Sequence, residues 1–180
     1  MATENSRFDC IDRHIEVPKT GITIVPIGDI HFNAPMFAKD VFADWCRKYK
    51  SMKDVYFLGV GDYLETLSAS ERRGISVALH DSSREWMDEQ VTQDLEKLAK
   101  ALEFTRGKWL GMLTGNHSYI TGDGETLTQM LARRLDAKPL GVCAAIRLNL
   151  FRHGSGTQTN YDIWAHHGRG GEHTSVAVPS

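Results

Sequence analysis

No run of the sequence approaches the ~18 consecutive apolar residues that a bilayer span requires, and the amino terminus, MATENSRFDC, has acidic residues and no apolar core of the kind a secretory leader carries. The expectation is a soluble, unexported chain with a cytoplasmic location and no membrane partner. Cysteine is sparse: Cys10, Cys46 and Cys143 are odd in number, far apart and form no CxxC pair, which argues against a disulfide framework and a zinc knuckle alike. A formal net charge of -2 gives no global attraction for a polyanion. Any nucleic-acid or phosphorylated substrate therefore has to be held by local cations or metal. Internal repeats, low-complexity tracts and linkers are also missing, so residues 1–180 are expected to form a single domain. What is present, 41% apolar and 24% charged residues, is enough for a real core.

Along the chain, RHIEV and ITIVPIG flank PKTG, whose Pro18 and Gly21 are turn formers, so an opening hairpin or strand pair is expected. NAPMFAKDVFADWCRKYK offers Asn33 as a helix cap and sets Phe37, Val41, Trp45 and Tyr49 on one helical face. DVYFLGVGD has the pattern of a buried strand ending in a glycine turn. DSSREWMDEQVTQDLEKLAKALEF is a long helix with Val91, Leu95, Leu98 and Leu102 inward and Gly107 as its stop. KWLGMLTGNH is another buried strand and DGETLTQMLARRLD another helix. LGVCAAIRLNLF and YDIWAHHG are two adjacent strands joined by RHGSGTQTN. The alternation predicts an α/β layered fold. Periodicity fades between residues 65 and 82, which form either a loop with a helical turn or part of an active-site rim. The four tryptophans fall at apolar helix or strand positions and are expected in the core rather than in a base-stacking platform.

The chemistry collects where apolar strands end. IVPIGDIH ends at Asp29 and His31, YFLGVGD at Asp62, and LGMLTGNH at Asn116 and His117, each after a glycine that lets the chain turn sharply. Ligand sites of open α/β sheets lie outside those carboxyl ends. YDIWA delivers His166 and His167 to the same level if it runs parallel to the other strands. Carboxylate, amide oxygen and imidazole together form a mixed N/O set suited to Mn, Fe, Zn or Co rather than Ca. Asp29 and His31, as alternate residues of an extended chain, would point to one side and share an ion. Asp62 could bridge to a second ion about 3.5–4 Å away, as in two-metal hydrolytic sites. His14, His80 and His153 lie away from these strand ends and are expected at the surface or in loops.

In their order and spacing, GDIH, GD at 61–62, GNH at 115–117 and HHG at 166–168 resemble the calcineurin-like metallophosphoesterases, over residues 24–170. The resemblance implies a layered β-sandwich flanked by helices, with a centre of two divalent or trivalent ions at the strand carboxyl ends. It also implies hydrolysis of a phosphomonoester or phosphodiester by a metal-activated water. Carried over by position, Asp29 and His31 would hold the first metal, Asp62 would bridge, and Asn116 would hold the second with His166 or His167, His166 being preferred. His117 would not be a ligand but would contact phosphate and act as general acid for the departing oxygen. Arg169 is either a phosphate clamp or an exposed loop residue. The substrate is a phosphate ester, with nucleotides and nucleic-acid ends among those open.

The pattern also departs from that family. Its last motif, Gly-His-x-His, has no counterpart; GEHT at 171–174 holds only His173, expected to be a loop residue. The chain therefore resembles a member lacking its carboxyl-terminal part. Ser118 stands where many relatives have an acidic residue. Glu65, three residues after Asp62, is either a support for the metal ligands or an exposed surface residue. The competing reading is a catalytically silent module of the same fold that binds or scaffolds; a weaker one is a single-metal hydrolase.

Overall fold

The computed structural model describes residues 8–66, 81–152 and 158–168, with the backbone alone for 81–84. In chain order the elements are β1 (Phe8–Glu16), β2 (Thr23–Ile27), α1 (Lys39–Lys50), β3 (Val55–Gly59), α2 (Asp81–Ala101), β4 (Trp109–Met112), α3 (Leu127–Arg134), β5 (Cys143–Phe151) and β6 (Gln158–His166). They form a mixed α/β fold with two three-stranded sheets, ordered β1-β5-β6 and β2-β3-β4. β2, β3 and β4 are mutually parallel. β1 runs parallel to β5, and β6 antiparallel to it.

β3 (VYFLG) and β4 (WLGM) are apolar along almost their whole length because both of their faces are covered, the usual condition of a parallel sheet. On one face Phe57, Trp109 and Met112 pack with Leu95, Leu98 and Leu102 of α2 and its end, and with Leu131 of α3. On the other, Leu58, Leu110 and Leu113 meet Ile11 and Ile15 of β1, Ile146 and Leu148 of β5, and Ala165 of β6. The two sheets thus share one apolar cluster, and the helices bury the far side of β2-β3-β4.

Several local expectations change. β1 and β2 do not form a hairpin: the turn at Pro18–Gly21 closes with Gly21 N–H donating to the Pro18 carbonyl, but it hands the chain from one sheet to the other. Asn33 does not cap α1, whose N-cap is Ala38 with no side-chain bond. The inward side of α1 is Phe42, Trp45 and Tyr49 rather than Val41, which is 70% exposed. α2 ends at Ala101, before Gly107, and passes into a single 3-10 turn at Glu103–Thr105. α3 opens on a reciprocal capping box in which Thr126 and Gln129 satisfy each other's backbone N–H groups. Trp45 and Trp109 belong to the core, whereas Trp86 and Trp164 are exposed, the latter stacked on Phe8 at 5.2 Å between centroids. Among the described residues no helix is long and apolar enough to cross a membrane. His14 is exposed on β1, while His80 and His153 lie outside the described residues.

Candidate metal centre

Because β2, β3 and β4 are parallel, the segments that follow them emerge at one edge. The chain after β2 is not extended there, so alternation along a strand is not what brings Asp29 and His31 together. Both have left-handed backbones, φ 47° and 43°, as does Asp62 at 52°; among the described non-glycine residues only Asp136 shares this. Asp and His tolerate this region better than most side chains, yet each such residue costs about 1–2 kcal/mol. The conformation is fixed by bonds between the two loops. Asp29 N–H donates to the Gly61 carbonyl at 3.0 Å, Ile30 and His31 both donate to the Asp62 carbonyl at 2.9 and 3.1 Å, and Phe32 donates to Tyr63 at 3.1 Å. Strain of this kind, over-determined by its surroundings, gathers at functional sites.

Two glycines let a third loop approach. Gly61, at φ 103°, has no room for a side chain, since a Cβ there would lie 2.7 Å from both Gly115 Cα and His167 Nδ1. A Cβ on Gly115 would overlap the Asp62 carboxylate. The loops therefore touch backbone to backbone, and Asp62 Oδ1 accepts the His117 backbone N–H at 2.8 Å. Next along the chain, Tyr63 is fully buried and donates its hydroxyl to the Leu113 carbonyl at 2.9 Å; burial pushes its phenol far above the ordinary range. It ties the loop after β3 to the end of β4.

Two groups of ligand atoms result. Asp29, Asp62 and His167 offer atoms all within 4.8 Å of one another, and so do His31, Glu65 and His117. Asp62, 4% exposed, lies between them: its Oδ2 is 3.1 Å from His167 Nε2 and 3.9 Å from His31 Nε2. His31 Nδ1 is buried 2.6 Å from Glu65 Oε2 yet lacks the alignment of a hydrogen bond. Glu65 Oε1 is 3.3 Å from His117 Nδ1, and the rings of His31 and His117 meet edge to face at 5.0 Å.

Of the two adjacent histidines, it is His167 that the fold brings to this cluster. Its Nδ1 donates to the Val60 carbonyl at 2.7 Å, and its Nε2 is 2.8 Å from Asn116 Oδ1. His166, the preferred ligand on resemblance, is the last residue of β6, exposed, its Nδ1 accepting the Gly168 N–H. The pair arrives from the other sheet, since β6 belongs to β1-β5-β6 and does not run parallel beside β2-β3-β4. Grouping by distance also differs from the expected split, for Asp29 falls with Asp62 and His167 while His31 falls with Glu65 and His117. Arg169 and His173 lie outside the described residues. Glu65 is exposed and at the same time stands beside His31 and His117, and Asn33 is the residue that sequence reasoning misplaced. The Asn33 amide brackets the Glu65 backbone, accepting its N–H at 2.6 Å and donating to its carbonyl at 3.1 Å. No periodicity signals a clasp between residues so far apart in sequence.

The donor set fits a cation. Asp29 and Asp62 put two carboxylates in one group and Glu65 a third in the neighbouring one, and among the described residues no lysine or arginine pairs with them. His167 Nδ1 must carry a proton to bond a carbonyl, so when the ring is neutral its Nε2 turns a lone pair toward oxygens of Asp62 and Asn116. Such a convergence of lone pairs is relieved by a proton or a metal ion placed among them. No family model, curated protein or solved structure matches the chain.

Proposed function

We propose that this chain is a metal-dependent phosphoesterase that hydrolyses a phosphomonoester or phosphodiester at a centre built from Asp29, His31, Asp62, Asn116 and His167. The observation that carries the proposal is the meeting of His167 Nε2, Asp62 Oδ2 and Asn116 Oδ1 at 2.8 and 3.1 Å, beside a second histidine–carboxylate group that faces the same Asp62. The shared cluster between the two sheets, with helices on the far side of β2-β3-β4, supports the metallophosphoesterase-like layered arrangement.

Asp29, Asp62 and His167 would hold one ion, with Asn116 alongside, and Asp62, whose Oδ2 faces both His167 and His31, would be shared with an ion beside His31. Mn, Fe or Zn suits these ligands. When bound, such ions supply Lewis acidity that activates water and offsets phosphoryl charge. His117 is set up as a proton donor. Its Nδ1 donates to the Thr66 carbonyl at 2.8 Å, so the neutral ring presents a lone pair at Nε2, and it is the imidazolium form that would pass a proton from Nε2 to a departing oxygen. Its backbone bond to Asp62 holds that ring in register with the ligands. Glu65, fixed by Asn33, stands beside both His31 and His117.

The test is turnover of p-nitrophenyl phosphate and bis(p-nitrophenyl) phosphate with added Mn. Asp62→Asn is expected to lower it by at least about 100-fold. Undiminished turnover in that variant removes the centre from the mechanism. Tight Mn binding with no turnover of any phosphate ester favours the silent module.

A further inference from the structure

We infer that the ester taken by this centre carries a compact, uncharged, apolar organic group, seated in a groove between the segment after β2 and helix α1. The inference rests on the phosphoesterase reading above. The groove has a volume of about 590 Å³, and its lining includes Asp29, His31 and Glu65 at one part and Met36, Phe37 and Val41 at another. Ligand atoms and apolar wall are thus parts of one continuous cavity. An ester whose phosphorus lies at the carboxylates and imidazoles has this groove beside it for the rest of the molecule.

The groove explains two side chains that the core does not. Met36 is 93% exposed and Val41 is 70% exposed, while Phe42, Trp45 and Tyr49 supply the packed side of α1. Large apolar groups left in water beside a polar cluster are what an apolar ligand would cover. Methionine adapts its shape to whatever it meets. The volume falls in the ~300–1,000 Å³ range of small-molecule sites, so a single ring or short alkyl group fits and a long polymer does not. Charge points the same way. Among the described residues no lysine or arginine lines the groove, so a polyphosphate chain or a nucleic-acid backbone finds no cationic partner among them.

Phosphonates, which cannot be hydrolysed, separate this inference from the activity. Benzylphosphonate and methylphosphonate are titrated into the Mn-loaded chain by calorimetry, and Met36→Gln and Val41→Gln are titrated in parallel after circular dichroism shows them folded. Benzylphosphonate is expected to bind about tenfold tighter, the value of burying roughly half a ring, with the ratio falling toward one in the variants. Equal affinities in the unaltered chain, a ratio that survives both substitutions, or no binding of either phosphonate overturns the inference. Turnover of glycerol phosphate without any benzyl preference overturns it too, while leaving the phosphoesterase reading standing. A benzyl preference that depends on Met36 and Val41 supports the groove even if no ester is hydrolysed, and in that case it is the activity that falls.

Discussion

The two sheets have three strands each, share an apolar cluster, and serve the site in different ways. β2-β3-β4 is covered on both sides and carries Asp29, His31, Asp62, Asn116 and His117 on the segments that leave its carboxyl ends. Among the described residues, β1-β5-β6 is covered on one side only. Among those residues, its other side shows Phe8 and Trp164 to solvent, at 41% and 66% exposure, and one residue that follows it, His167, reaches the cluster. Even that residue is held from across the gap, by the Val60 carbonyl at the end of β3. The contrast shows a division of labour: one sheet positions the donors, and the other closes the core and completes the set.

That division can be broken at several points. The largest effect is expected from Gly115→Ala, where the new methyl overlaps the Asp62 carboxylate. Urea denaturation should show a loss of about 3 kcal/mol, and Mn affinity should fall by at least about 100-fold. A stable variant with normal Mn binding would mean that the loops separate easily. Ile146→Ala, in the covered side of the other sheet, should cost about 2–3 kcal/mol and leave the Mn affinity of the folded protein as it was. If affinity falls as well, the second sheet positions the site after all. His167→Ala should weaken Mn binding about 10–100-fold, whereas His166→Ala should not change it; the reverse result restores the ligand preferred on resemblance. The smallest effect is expected from Trp164→Ser on the bare side, within about 0.5 kcal/mol by thermal unfolding. A larger loss would show that the stack on Phe8 holds β6 in place.

Legibility in the sequence followed burial. β3 and β4, covered on both sides, appear as unbroken apolar runs, and α2 shows its buried Leu95, Leu98 and Leu102 at helical spacing. The strand-end positions of Asp29, Asp62 and His117 were readable because a glycine and a polar residue follow each run. Pairing was not readable. PKTG has the chemistry of a hairpin turn, and only the distant partners of β1 and β2, namely β5 and β3, decide that they separate. Val41 misled for a related reason, since helical spacing marks an apolar side without saying whether core or groove receives it. The choice between His166 and His167 depends on how the chain leaves β6, and adjacent identical residues carry no signal of that.

The double bond from Ile30 and His31 to a single carbonyl, that of Asp62, has a consequence for timing. Amides of residues 29–32 are engaged although they lie beyond the last rung of β2, so in deuterium exchange they should resist as strand amides do rather than as loop amides. On the proposed reading an arriving ion would meet donors whose backbone is already set, and the ordering entropy that a slack loop would surrender on capture would have been spent during folding.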